Sequence, residues 1–173
     1  KLEYNYNFDP NKPVIGLMLS NLNGDLSRNL VERIHEQYGT EYQTISLYSY
    51  NRYADIPYVA DLTPQEWSTI FGLFSLTVSK YFHGAMFSLL NRTPVLAVSA
   101  EKTIAGFPNK VEDAFERLGI SDWYMDSKTM DWPAFMNKMD GLLSNPQKEK
   151  MDTGIRRELQ SVETFFERIQ SIC

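Results

Sequence analysis

Two rhythms of apolar residues alternate along this chain. The first is a set of short unbroken runs: "PVIGLMLS" at 13 to 20, "YQTISLYS" at 42 to 49, "SLTVS" at 75 to 79 and "PVLAVS" at 94 to 99. Each is strand-sized and bounded by polar or turn-forming residues. Between the runs, apolar side chains recur every three or four positions, the period of a helix. Leu26, Leu30 and Ile34 form one such stripe, capped by Asp25 and stopped by Gly39. Thr63, Pro64 and Glu66 form a capping box ahead of Trp67, Ile70 and Phe71. "GAMFSLLNR" at 84 to 92 reads as a short helix. Asn109 with Glu112 reads as a second box, leading into Val111, Ala114, Phe115 and Leu118, with Gly119 as the stop. Asp131 starts a helix that turns Phe135, Met136, Met139 and Leu142 inward. After a break at Pro146, a last helix places Met151, Ile155, Leu159, Val162, Phe166 and Ile169 on one side.

Strands therefore alternate with helices. The strands are continuous apolar runs and not strict alternations, so both faces of the sheet are covered. That pattern predicts an α/β fold, a Rossmann-like parallel sheet with helices on both faces. Residues 1 to 173 fit one domain, since that length builds one well-buried core and hardly two. In such sheets, ligands bind beyond the carboxyl ends of the strands. This points to the loops at 20 to 25, 49 to 58, 79 to 84 and 99 to 110.

Composition narrows the function classes. Net charge is −5 and the basic residues are scattered, which argues against a nucleic-acid partner. No apolar run approaches the ~20 residues of a membrane helix. No basic segment followed by an apolar one marks a secretory signal. The single cysteine, Cys173, cannot form an internal disulfide or a cysteine metal site, and a reducing cytoplasm is its natural compartment. No His/Asp/Glu cluster shows metal-ligand spacing, so neither a metal nor another cofactor is implied. The chain opens on Lys1 and not on methionine, which reads as a trimmed chain or a domain cut from a longer protein.

The candidate chemistry centres on "SKYFHG" at 79 to 84. Ser79 ends a strand, and His83 and Gly84 open the next helix. A helix start offers unpaired N–H groups and partial positive charge, and glycine lets a ligand approach that backbone closely. An imidazole there can donate to an anion or hand over a proton near neutral pH. It can instead serve only to cap the helix or to fill a polar niche. Lys102 and Lys110 flank the following strand-to-helix loop and either reach the same anion or face solvent. Arg52, in a tyrosine-rich loop, can stack on a sugar, clamp an acid or meet a partner surface. The second histidine, His35, beside Glu36 in a helix, reads as solvated.

The stretch "LTPQEWSTIFGLFSLTVSKYFHGAMFSLLNRTPVLAVSAEK", followed by "NKVEDAFERLGI", resembles the bacterial polysaccharide pyruvyl transferases. The likeness covers roughly residues 62 to 126: a capped helix, a strand ending in serine, a histidine four residues later, a small-residue helix and a "P-V" strand. The resemblance implies the C-terminal, donor-binding half of a longer enzyme, with a fold like the C-terminal domain of GT-B glycosyltransferases and an N-terminal domain elsewhere. Such enzymes move the enolpyruvyl unit of phosphoenolpyruvate onto a saccharide or lipid-linked saccharide, giving a pyruvate ketal. Carried over by motif, His83 becomes donor ligand and general acid, and the donor-binding lysine is Lys102 or Lys110. Ser79, Tyr81, Gly84 and Arg52 complete the expected substrate-binding set. Many members carry arginine where this chain has Tyr81; arginine grips an anion in a bidentate way that tyrosine cannot. Two other readings stand beside it. One is a nucleotide-sugar glycosyltransferase of the same architecture, with Glu101 as the group for the ribose. The other is a non-catalytic ligand-binding domain of that fold.

Overall fold

The computed structural model describes residues 6–19, 24–99 and 109–170. Five strands form one parallel sheet: β1 (Val14–Met18), β2 (Gln43–Ser46), β3 (Phe74–Ser79), β4 (Val95–Ser99) and β5 (Tyr124–Asp126). Their order across the sheet is β2-β1-β3-β4-β5. Every residue of β1, β2 and β4 is buried, and all but one of β3. Strands covered on both faces need no polar alternation, which is why β1 and β4 are nearly unbroken apolar runs; β2 and β3 also bury Gln43, Thr44, Ser46, Thr77 and Ser79.

The helices are α1 (Gly24–Tyr38), α2 (Pro64–Thr69, running on into a 3-10 turn at Ile70–Leu73), α3 (Phe82–Leu90), α4 (Lys110–Leu118), α5 (Trp132–Ser144) and α6 (Lys148–Gln170). α1 and α5 lie side by side: Tyr38 donates to Asp140 at 2.5 Å, and the Arg33 guanidinium sits 4.7 Å over the Trp132 ring. α3 and α4 pack together, and α6 lies along α4. Phe115 and Phe135 are fully buried where α4 and α5 meet the main core, each stabilising the fold by about 1.5–3 kcal/mol.

The helix boundaries follow their caps. The Thr63 hydroxyl accepts from the Glu66 amide, and the Glu66 carboxylate accepts from the Thr63 amide at 2.9 Å, closing the expected box. Asp131 accepts from the Ala134 amide at 3.0 Å. Asn109 does cap α4, but through the Val111 amide at 2.9 Å, and no reciprocal bond from Glu112 accompanies it. Gly119 ends α4 at φ +72°, a left-handed conformation that glycine adopts without Cβ crowding.

Other expectations need correcting. β5 was not anticipated, because "YMD" is too short and too polar to stand out; it forms by pairing with β4 at the sheet edge. Asp25 lies inside the first turn of α1, where it pairs with Arg28 at 3.1 Å. α3 begins at Phe82, two residues before the predicted start. The apolar stripe of α6 is only half used. Met151 is buried and Ile155 packs on the core, but Leu159, Val162 and Phe166 stand exposed. No helix of the described residues is long and apolar enough to cross a membrane.

Candidate functional site

The strand order reverses between β1 and β3. From β1 the chain crosses to β2 on one side, and from β3 it proceeds to β4 and β5 on the other. At such a point the connections diverge and leave a crevice beyond the carboxyl ends of the two strands. The elements that meet there are the end of β1 at Met18 and Leu19, the start of α3, and the loop after β2.

Ser79 shapes the turn into α3. It is 1% exposed, and its hydroxyl donates to the Tyr81 carbonyl at 2.9 Å while accepting from the Tyr81 amide at 3.1 Å. With both capacities spent on the backbone, Ser79 belongs to the frame of the site. The turn leaves Tyr81 extended as the N-cap, and no side chain caps the helix. Phe82, His83 and Gly84 therefore form the first turn, where amide groups lack intrahelical acceptors. Gly84 is buried against β1: a Cβ there would lie 2.6 Å from Met18 Sδ and 2.7 Å from Ser79 Oγ. Only glycine lets the helix start this close to the strand end. From beneath, Phe87 stacks on Phe71 (centroids 5.9 Å apart, 16° between planes) and meets Trp67 edge-on at 5.1 Å, fixing the direction in which α3 points.

His83 is exposed, not folded into the core. Its ring meets Phe82 edge-on at 5.8 Å, and among the described residues no group hydrogen-bonds to the imidazole. Lys110, the exposed first residue of α4, lines a cleft of about 380 Å³ together with Phe82, Met86, Arg117 and Glu158. Phe82, the residue before His83, is the point at which this cleft reaches the start of α3. Arg52 donates to the Tyr53 hydroxyl at 2.8 Å and lies 4.9 Å over that ring. Lys102 and Glu101 lie outside the described residues.

One residue of the site was not singled out in the sequence. Tyr48 follows β2, and its ring meets Tyr81 edge-on with centroids 4.8 Å apart, next to the end of β1. The loop beneath it is anchored by the Leu47 amide to Leu17 O at 2.9 Å and the Ser49 hydroxyl to Leu19 O at 2.5 Å. The tyrosine-rich composition of this loop was the one available signal, and it did not say which ring turns toward the crevice.

The far end of that loop explains His35, which is not solvated as expected. Its Nε2 lies 2.9 Å from Thr44 Oγ1 and 3.2 Å from Asp55 Oδ2, so it tethers the loop's return to the β2 edge. Burial by itself pushes the Asp55 carboxyl upward. The His35 bond and two bonds from Thr44, its amide and its hydroxyl, outweigh this and hold it down to about 2. Asp55 comes to His35 only through the fold, which the helix pattern around His35 does not reveal.

A larger concavity, roughly 700 Å³, lies at the opposite end of the sheet between the chain before β1 and the end of α2. Helix carboxyl ends carry partial negative charge, so that end is the wrong polarity for an anion. Among the described residues no group of three or more His, Cys, Asp or Glu side chains is placed to hold a metal ion.

No family model matches this chain, and no curated protein matches it. Among solved structures, the glycotransferase of kitacinnamycin superposes with a TM-score of 0.58 at 14% sequence identity, over 85% of this chain and 39% of that one. The chain thus spans about two fifths of that protein's length. At this identity the likeness is one of fold, and the fold is the expected Rossmann-like α/β sheet of the GT-B type.

Proposed function

We propose that this chain is the donor-binding domain of a transferase that moves the enolpyruvyl unit of phosphoenolpyruvate onto a sugar. The observation that carries the reading is the exposed imidazole of His83 on the first turn of a helix without a side-chain cap, at the reversal point of the sheet. Partial positive charge, free amides and a titratable ring suit a small, doubly negative ligand. Lys110, across the Phe82 cleft, supplies a further cation.

The chemistry follows from the groups. His83, protonated, gives its proton to the methylene carbon of phosphoenolpyruvate, leaving cation-like character on the neighbouring carbon. A sugar hydroxyl attacks there, and the carbon–oxygen bond to phosphate breaks. A second hydroxyl closes the ketal. Of the two hydroxyl protons, one restores His83 and the other leaves with phosphate. The helix amides favour the departing anion, and fixed dipoles aimed at developing charge are the strongest means a protein has of lowering such a barrier.

Calorimetric titration with phosphoenolpyruvate tests this. Binding is expected in the wild type and absent in His83→Ala. Unchanged binding in that variant removes His83 from the site. A second reading, a nucleotide-sugar glycosyltransferase, is favoured by the fold neighbour. Uridine diphosphate binding in place of phosphoenolpyruvate would select it.

A further inference from the structure

We infer that Tyr48 is a stacking surface for the sugar ring of the acceptor, standing beside the donor position at His83. This deepens the transferase reading and rests on it for the identity of the sugar as acceptor. Tyr48 has φ +73°, the left-handed region, where a Cβ crowds the following carbonyl and a bulky residue is a true outlier. Burial does not offset this, since the side chain is 60% exposed. The same loop holds a second unfavourable feature: Asn51 is 2% exposed and its side-chain amide N–H group has no partner among the described residues. Unfavourable backbone and unpaired polar groups persist where surrounding structure over-determines them, and they gather at ligand sites. Here the over-determination is visible. Leu47 and Ser49 are tied to β1 before the outlier and next to it, and Asp55 and Ile56 are tied to β2 beyond it.

The result is an aromatic ring held out of the core. It meets the Tyr81 ring in an edge-type contact, and Tyr81 is the N-cap of the helix whose first turn carries His83. An exposed phenol ring matches a pyranose, which offers an apolar C–H face and a rim of hydroxyls. Tyr50, 58% exposed in the same loop, carries a further phenolic hydroxyl. A ligand lying on Tyr48 would be adjacent to one held at His83, as attack by an acceptor hydroxyl on a donor carbon requires.

The test is saturation-transfer NMR on the whole chain with methyl glycosides of glucose, galactose and mannose, and with uridine as the nucleobase control. Each is measured with and without phosphoenolpyruvate. At least one glycoside should receive saturation on its C–H face. Tyr48→Phe should keep that signal, and Tyr48→Gly should weaken the affinity roughly tenfold. Glycine adopts the local φ without crowding, so the loop is retained, which near-UV circular dichroism checks. Absence of signal from all three glycosides overturns the inference. So does a glycoside affinity unchanged in Tyr48→Gly, or saturation of uridine alone. Glycoside binding without phosphoenolpyruvate binding sinks only the donor reading; the reverse sinks only the platform.

Discussion

Substituting Gly84 by alanine probes the geometry on which the site depends. The added methyl would stand 2.6 Å from Met18 Sδ, 3.1 Å from Met18 Cε and 2.7 Å from Ser79 Oγ, where ordinary contact begins near 3.4 Å. Helix propensity alone favours alanine by at most ~1 kcal/mol, and by less in a first turn. Against this stands overpacking, which costs about 1–3 kcal/mol in a filled core. Met18 is 2% exposed and has little room to swing away, and the Ser79 hydroxyl is fixed by two bonds to Tyr81. Overpacking therefore wins, with a net loss of about 1–2 kcal/mol. For a chain of 173 residues, each kcal/mol corresponds to roughly 2–4 °C in Tm, so a fall of about 2–8 °C is expected. Urea unfolding followed by tryptophan fluorescence measures the free energy, and a thermal melt gives Tm. Combining Gly84→Ala with Ser79→Ala removes one of the clashing atoms, so the alanine at 84 should cost at least ~0.5 kcal/mol less in that background. A Gly84→Ala variant as stable as the wild type would refute the close approach of α3 to β1.

Further outcomes follow from the same structure. Asp55 titrates at about 2 when folded, below its ordinary value of 3.8, so its contribution is present above pH ~4 and lost as pH falls toward 2. Nearly two units correspond to ~2.4 kcal/mol, but the carboxylate is 48% exposed, so screening reduces this to about 1 kcal/mol. Asp55→Asn should therefore flatten the acid limb of the stability–pH curve between pH 4 and 2, measured by urea unfolding. Phe71→Ala, at a fully buried site, should cost about 3–5 kcal/mol in the same assay. Leu159→Ala, 58% exposed on α6, should change stability by no more than ~0.5 kcal/mol. Thr63→Ala should lose about 1 kcal/mol through its capping box.

What the sequence determined by itself was local or periodic. The apolar runs specified strands covered on both faces, and the three-to-four spacing specified helices. Thr63, Asp131 and Gly119 marked helix ends, because capping is a contact among near neighbours in the chain. The positions of Gly84 and His83 were also legible, since a serine-ended strand running into a helix places them at the carboxyl end of a parallel sheet; the exposure of the His83 ring was not. The tertiary structure decided what depends on residues far apart. It gave β5 its place through pairing with β4, and it paired His35 with Asp55. It brought Lys110 to the cleft beside Phe82. Most of all it turned Tyr48 toward Tyr81, thirty-three positions along the chain, in a left-handed backbone that no local preference of tyrosine favours. The physical reason is range: periodicity and caps are set within a few residues, whereas a crevice is made where strands distant in sequence end side by side.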